Sequence, residues 1–288
     1  MIRETTLLLG RSGQLGTALA PMLNEVTTPD RKEFDLAFLS HDRAQRLIDE
    51  VRPSVLINCA AYTAVDAAED DVATANRVNG TSVGLLAEVA AQAQIPFVTY
   101  STDYVFDGQG SEPYVESSPT DPINAYGASK LIGERLALQA NPRTLVIRTS
   151  WIVSGTHPNF VATMLRLAKE GRSLRVVSDQ YGCPTVASDL ARATLEAMEA
   201  SATGLLHLTN TGATTWFELA RTAVALAGLD PDLIEPCPTE EYPTPARRPA
   251  YSVLASERIG DLGMSGLPAW QDSLPEVVRR QMTPSQPS

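Results

Sequence analysis

Thr5-Thr6-Leu7-Leu8-Leu9-Gly10-Arg11-Ser12-Gly13-Gln14-Leu15-Gly16 is the stretch on which the fold turns. Its apolar run at Leu7, Leu8 and Leu9 reads as a buried strand, and the residues after the last glycine, through Leu23, read as a helix. Between them the glycines stand as G-x-x-G-x-x-G. Glycine at such a junction lets the chain turn tightly and lets bare backbone approach a pyrophosphate, which then rests on the helix N-terminus. A strand before and a helix after are the context a dinucleotide loop requires, whereas the triplet alone is equally a tight strand-to-helix turn. Gly10, Gly13, Gln14, Leu15 and Gly16 are therefore candidate cofactor residues, with Gly13, Gln14 and Leu15 nearest the pyrophosphate. Further along comes Asp30-Arg31-Lys32. An acidic residue there binds the adenosine ribose hydroxyls, whereas an arginine accommodates a 2′-phosphate. The chain offers Asp30 and Arg31, and Arg11 inside the loop adds a phosphate partner. NADPH is favoured and NADH permitted; Asp30 as a solvated turn residue is the competing reading.

Outward from that loop, Val55–Asn58, residues 95–100 and residues 144–148 read as further apolar or β-branched strands, alternating with helical runs at 76–94 and 129–139. Strand and helix in alternation, with strands apolar on both faces, imply a parallel sheet covered on both sides. The expected fold class is α/β, a Rossmann-type doubly wound parallel sheet with a smaller, loop-rich C-terminal substrate lobe. Residues 1–150 are expected to form the NAD(P)-binding domain. Residues 151–282 are expected to form mainly the substrate-binding lobe, with some segments returning to the sheet. That half holds helical runs at 159–169, 187–199 and 216–226 and proline-rich links such as Tyr242-Pro243-Thr244-Pro245. Residues 283–288 read as a tail.

The chain has 288 residues, 43% hydrophobic, an ordinary share for a water-soluble globular protein. No apolar run approaches the ~18–20 residues of a membrane helix, and no signal peptide is evident. Cys59, Cys183 and Cys237 are far apart and odd in number, which fits reduced thiols in a cytoplasm. His41, His157 and His207 show no zinc spacing, and no metal site is expected. A net charge of −11 argues against general nucleic-acid binding. An anionic substrate would then require a local basic pocket.

Tyr126-Gly127-Ala128-Ser129-Lys130 spells Y-x-x-x-K, and upstream lies Ser101-Thr102-Asp103-Tyr104-Val105-Phe106. Residues four apart share a helix face, about one turn from each other. A lysine ammonium there favours phenolate over phenol and draws the tyrosine below its reference pKa near ~10. Such a phenol donates a proton to a carbonyl oxygen as hydride arrives. Chance placement of the two residues on a surface helix is the competing reading of the motif by itself.

These segments together resemble the extended short-chain dehydrogenase/reductase family, over nearly the whole chain to about Trp270. The matching stretches include Asn58-Cys59-Ala60-Ala61-Tyr62-Thr63-Ala64-Val65-Asp66, Arg148-Thr149-Ser150-Trp151, Asp179-Gln180-Tyr181-Gly182-Cys183-Pro184-Thr185 and Tyr242-Pro243-Thr244-Pro245-Ala246-Arg247-Arg248-Pro249. Within the family, Trp151 and the late Thr-Pro-Ala-Arg-Arg-Pro point to the branch that reduces the C4 ketone of dTDP-4-dehydro-6-deoxy-L-mannose to dTDP-L-rhamnose. The resemblance implies that Thr102 holds the keto oxygen, Tyr126 is the general acid, and Lys130 tunes it and binds the nicotinamide ribose. It implies that Ala61, Tyr62 and Thr63 line the cofactor and that Asp35 and Leu36 bracket the adenine. Asp103 and Trp151 are implied to contact the deoxysugar, with Gln180 and Pro184 on a loop near it. Arg247 and Arg248 answer the requirement for local positive charge, since paired guanidinium groups clamp a pyrophosphate bidentately. Some members join two subunits through Mg²⁺ held by glutamates; Leu15-Gly16-Thr17-Ala18 and Ser188 offer no such carboxylate, so a monomer or a metal-independent dimer is expected. Two alternatives remain open here: another nucleotide-sugar 4-ketoreductase or epimerase, and a non-catalytic regulatory subunit of an S-adenosylmethionine-forming enzyme.

Overall fold

The structure, a computed structural model, describes residues 5–283, so the tail expected at 283–288 lies, apart from Thr283, outside the described residues. The first half runs β1 (Thr5–Leu9), α1 (Gln14–Leu19), β2 (Glu25–Thr27), α2 (His41–Val51), β3 (Val55–Asn58), α3 (Ala67–Asp70), α4 (Val72–Asn76), α5 (Ser82–Gln92), β4 (Phe97–Thr102), α6 (Ala125–Ala140) and β5 (Thr144–Thr149). The second half runs β6 (Ile152–Val153), α7 (Phe160–Lys169), β7 (Leu174–Val177), β8 (Tyr181–Gly182), β9 (Thr185–Val186), α8 (Ala187–Glu199), β10 (Gly204–His207), β11 (Thr214–Thr215), α9 (Trp216–Leu226), β12 (Ile234–Cys237) and α10 (Trp270–Met282).

Six strands pair in the order β10-β5-β4-β3-β1-β2, every pair parallel. Strands β3, β4 and β5 are buried at every position, as a sheet covered on both faces requires. Successive residues of β1 serve opposite faces. Leu8 packs with Ile57, Val98 and Ile147 under α1 and α8, through Leu15, Leu19 and Leu190. Leu7 and Leu9 pack with Leu56 and Phe97 under α2 and α5, through Ile48 and Leu86. From β1 the chain passes to β2 on one side and later to β3 on the other. The carboxyl ends of β1 and β3 therefore flank a topological switch point, the crevice where ligands bind in such sheets.

Residues after 150 do not form a body apart. Strand β10 extends the sheet, with Gly204 opposite Leu145 and His207 opposite Arg148, and α8 covers the same face as α1. The remainder has its own core, in which Val161, Leu165, Leu219, Val224, Trp270 and Leu274 join α7, α9 and α10. The helical run expected over 76–94 is interrupted by a π-helical turn at Arg77–Thr81, where Gly80 lies against Ile132 of α6. Single π turns of this kind recur at functional sites. Helix α6, expected over 129–139, begins at Ala125 because the Asn124 side chain accepts the Gly127 N–H at 2.7 Å and caps it.

One buried ion pair ties α6 to the sheet. Arg148 on β5 donates to both carboxylate oxygens of Glu134 at 2.9 and 2.7 Å, and each side chain is 3% exposed. The Arg148 guanidinium also lies over the Phe106 ring at 5.2 Å. Removing one partner of a buried pair leaves the other charge uncompensated. Glu134→Ala is expected to cost ~3–5 kcal/mol of stability in urea unfolding; a loss below ~1 kcal/mol would show that Arg148 finds another partner.

Candidate active site

The glycine loop is built by steric necessity at two of its three glycines. Gly10 has φ +77°, and a Cβ on it would lie 2.5 Å from the Ala60 nitrogen and 2.6 Å from the Cys59 carbonyl carbon. A Cβ on Gly16 would lie 2.2 Å from the Gly10 oxygen. These two let β1, α1 and the end of β3 converge. Gly13 differs, because its Cβ would meet nothing nearer than the Gly10 oxygen at 3.5 Å. It caps α1 with no side chain of its own, leaving the helix's first N–H groups for a ligand. The loop therefore fits a dinucleotide pyrophosphate, with an open cradle at Gly13.

Of the other loop residues, Leu15 buries its side chain in the core and Gln14 spends its amide on the second half of the chain. Gln14 Nε2 donates to the Ile152 oxygen at 3.1 Å, and its Oε1 accepts from Ser154 Oγ at 2.9 Å and Asn159 Nδ2 at 3.1 Å. Only the backbone of these two residues is left free to face a ligand at the loop. His157 sits against the same loop, its Nε2 3.0 Å from the Ser12 oxygen and 3.3 Å from Thr17 Oγ1.

At the adenosine end, Asp30 accepts the Glu33 N–H at 2.8 Å as a turn residue, and Arg31 reaches Asp35 Oδ2 at 3.4 Å with its side chain 84% exposed. Asp35 Oδ1 accepts the Ala37 N–H at 2.9 Å, so both its oxygens are engaged. Leu36 is buried among Phe34, Leu39 and Ile48, which commits its side chain to the core rather than to an adenine. The Ala61-Tyr62-Thr63 segment follows β3 and is held by Asn79 on the π turn. Asn79 Oδ1 accepts the Tyr62 N–H at 2.9 Å, and its Nδ2 donates to the Tyr62 oxygen and to Ser129 Oγ, each at 3.0 Å. Ser129 stands between Tyr126 and Lys130 on α6, so one amide links the segment after β3 to that helix.

Thr102 closes β4, and α6 brings Tyr126 and Lys130 to that strand end. The Tyr126 ring meets Tyr104 edge-on, 6.1 Å between centroids at 82°. Burial pushes the Tyr126 phenol up to about 12, the Asp103 carboxylate acts in the same direction, and a hydrogen bond with Thr102 opposes them. The expected lowering by Lys130 is thus overturned: the phenol's shift comes from burial, Asp103 and Thr102, and Lys130 is not among its causes. Lys130 is itself brought down to about 8 by burial, with Glu134 and Cys59 opposing.

Asp103, expected at the sugar, is 2% exposed and faces inward. Its Oδ1 accepts from Thr102 Oγ1 at 3.0 Å and its Oδ2 from Ser252 Oγ at 2.6 Å. The carboxylate therefore backs Thr102 instead of lining the cleft.

Toward the substrate side, Trp151 has φ +45°, an outlier for a bulky residue. Its ring stacks on Trp216 at 3.6 Å and 11°, and a Cβ on Gly182 would lie 2.5 Å from it. Gln180 is buried and donates to Thr239 Oγ1 at 3.1 Å, while Pro184 is buried between β8 and β9. The two arginines part company. Arg248 donates to both oxygens of Asp66, at 2.5 and 2.8 Å, and to the Ala246 oxygen at 2.8 Å. That pairing holds the Asp66 carboxyl below its usual range. Arg247 is exposed and makes no side-chain hydrogen bond or ion pair among the described residues, so it carries the free positive charge.

Asn79, Asn124, Trp216 and Ser252 escaped the sequence reading. Asn79 is a polar residue within an apolar helical run, a signal open to notice; Ser252 has none, because its partner Asp103 is distant in the chain. Gly13→Ala is expected to leave the melting temperature unchanged but to weaken NADPH binding at least ~10-fold in calorimetric titration, since a methyl group fills the cradle while clashing with no protein atom. Unchanged affinity would place the pyrophosphate elsewhere.

The family model described as "RmlD substrate binding domain" matches residues 4–283. A dTDP-4-dehydrorhamnose reductase from Burkholderia thailandensis is 42% identical over 292 residues, covering 95% of this chain and 97% of the relative. One from Salmonella typhimurium is 40% identical over 293 residues, with 96% and 98% covered. The crystal structure of dTDP-4-dehydrorhamnose reductase from Bacillus anthracis in complex with NADP superposes with a TM-score of 0.92 at 34% identity, covering 96% of this chain and 99% of that one. The chain belongs to the RmlD family.

Proposed function

We propose that this chain is an NADPH-dependent oxidoreductase that reduces the C4 ketone of dTDP-4-dehydro-6-deoxy-L-mannose, giving dTDP-L-rhamnose. The observation that carries the reading is that Tyr126 and Lys130 lie one turn apart on α6, which packs against the β4 strand that ends in Thr102, in a chain 42% identical to a dTDP-4-dehydrorhamnose reductase along its length. NADPH is the preferred cofactor and NADH a permitted one. When bound, the nicotinamide supplies hydride to the carbonyl carbon.

The chain's own residues manage the proton and the charge. Tyr126, neutral far above physiological pH, holds a proton that becomes transferable only as negative charge develops on O4. Lys130 keeps its charge up to about pH 8 and stabilises the phenolate left after transfer. Thr102 holds the keto oxygen in line with the phenol. Trp151, braced by Trp216, offers a rigid aromatic wall to the deoxysugar, and Gln180 and Pro184 shape the loop beside it. Arg247 takes a substrate phosphate, and Arg248 holds the strap that carries Arg247 in place through Asp66. The Rossmann half of the chain carries the cofactor, and residues after Trp151 supply most of the substrate side.

Tyr126→Phe is expected to lower kcat by ~10²–10⁴-fold while NADPH affinity stays within twofold, measured by NADPH oxidation with the enzymatically prepared ketosugar and by fluorescence titration. Near-parental turnover would remove Tyr126 from the acid role. Arg247→Ala is expected to raise the KM of the nucleotide-sugar about tenfold at constant kcat; an unchanged KM would assign the pyrophosphate to other residues.

A further inference from the structure

Asp66 sits where a helix N-cap belongs and does not cap. It precedes α3 with φ −69° and ψ −41°, and its side chain accepts no N–H from that helix. Aspartate is favoured at such a position because it satisfies the helix's first N–H groups. Here both carboxylate oxygens go instead to the strap far along the chain. Oδ1 accepts the Ala246 N–H at 3.1 Å and Arg248 Nη1 at 2.5 Å, and Oδ2 accepts Arg248 Nη2 at 2.8 Å. Departures from a local rule of this kind concentrate at functional sites.

Two further bonds close a triangle. Glu69, on α3 itself, accepts the N–H of Ala125, the first residue of α6, at 2.8 Å. Asn124 donates from Nδ2 to the Arg247 oxygen at 2.8 Å, while its Oδ1 accepts the Gly127 N–H at 2.7 Å. Asn124 is 6% exposed, so water hardly competes for either bond. The strap is thus tied to α3 and to α6, and α3 is tied to α6. Within the strap, the Ala246 oxygen accepts from Thr244 Oγ1 at 3.0 Å and from Arg248 Nη1 at 2.8 Å. At its far end, a Cβ on Gly108 would stand 2.3 Å from Pro249 Cβ, so the proline has no slack. The Arg247 backbone is held on both sides while its guanidinium stays free among the described residues.

We propose that Asn124, braced by Asp66 and Glu69, is a positioning residue that sets the span between Arg247, the anchor of the substrate's diphosphate, and Tyr126, the acid. The proposal rests on the reductase reading above and adds to it how the reacting ring carbon is selected. Asn124 stands two residues before Tyr126, so one amide fixes the Arg247 backbone against the first turn of α6. In a nucleotide-linked 4-ketohexose the diphosphate leaves C1, and the ketone lies across the ring at C4. An anchor at a fixed distance from the phenol presents C4 to it. A loose anchor lets the sugar slide past, and misplacement by about 1 Å is enough to lose rate.

The test is a double-mutant cycle on the NADP-loaded chain, read by calorimetric titration of dTDP and by steady-state reduction of the ketosugar. Asn124→Ser keeps a capping oxygen for α6 but is too short to reach the strap. It is expected to weaken dTDP binding ~5- to 10-fold and to lower kcat about tenfold, with NADP affinity within twofold of the parent. Asp66→Asn breaks the ion pair at nearly constant size and is expected to act alike. Its side chain is 43% exposed, so it reads the same span even if Asn124→Ser fails to fold. In an Arg247→Ala background, each substitution is expected to change dTDP affinity and kcat by less than ~2-fold, because the group it positions is gone.

A kcat loss that persists in Arg247→Ala assigns Asn124 to the cap of α6 alone and overturns the span. Parental kcat and dTDP affinity in both Asn124→Ser and Asp66→Asn overturn it as well. Parental dTDP affinity in Arg247→Ala removes the anchor and with it the span. A parent that binds dTDP yet reduces no ketosugar overturns the reductase reading instead, and the dTDP cycle still decides whether Asn124 and Asp66 act through Arg247.

Discussion

Everything at the centre of this protein depends on how closely α6 lies against its neighbours. A Cβ on Gly127 would stand 2.0 Å from the Tyr104 carbonyl oxygen, and one on Gly133 would stand 2.0 Å from the Asn79 oxygen. Both distances are shorter than any non-bonded contact, so neither position accepts a side chain. The two glycines lie three residues before and three after Lys130, Gly127 against the Tyr104 backbone that follows β4 and Gly133 against the Asn79 backbone of the π turn. They fix the depth and rotation of α6 on both sides of the lysine, and with them the placement of Tyr126. The Asn124 cap sets where the helix begins, and the Arg148–Glu134 pair pins its middle to β5. A helix free to slide by an ångström would lose the alignment of phenol and hydroxyl that the proposed proton transfer requires.

Close packing also sets the electrostatics. Tyr126 and Lys130 are moved in opposite directions, each toward its neutral form, by loss of water. A lysine near 8 and a phenol near 12 still form a useful pair at neutral pH, one charged and one holding its proton. Asp103 is the third member of the same desolvated group, and its pairing with Ser252 and Thr102 keeps it from being stranded. In such a setting each hydrogen bond counts for more than at the surface, because water offers no replacement. The overall negative charge does not reach the substrate side uniformly: Arg247 projects from a strap whose neighbouring prolines and Asp66–Arg248 tie limit its motion.

Much of this was legible before any coordinates. The strand-glycine-helix opening stood where expected, β3 fell at Val55–Asn58, and α8 and α9 spanned the helical runs read from periodicity. Local signals sufficed there because apolar spacing and steric demand act over a few residues. The edge strand β2 and the helices α2 and α10 were not anticipated, since their patterns are short or amphipathic against a polar background. Leu36 was assigned to an adenine because the linear pattern matched, yet core packing claims its side chain. Asp103 was assigned to the sugar on the same ground, and Ser252 turned it inward.

By itself the sequence determined the class of chemistry: a strand, a glycine turn and a helix in succession, and a tyrosine, a lysine and a threonine of the types that proton delivery to a ketone requires. Those are properties of residue identity and short spacing, which a linear string carries in full. Tertiary structure alone decided the direction of each polar group. Ser252 reaches Asp103, Asp66 takes Arg248 and leaves Arg247 free, and Asn79 joins the Tyr62 segment to α6, all across long separations in the chain. The physical reason is that a hydrogen bond is settled by which partners burial brings within about 3 Å. That is a property of the packed sheet and its helices, on which the order of residues along the chain is silent.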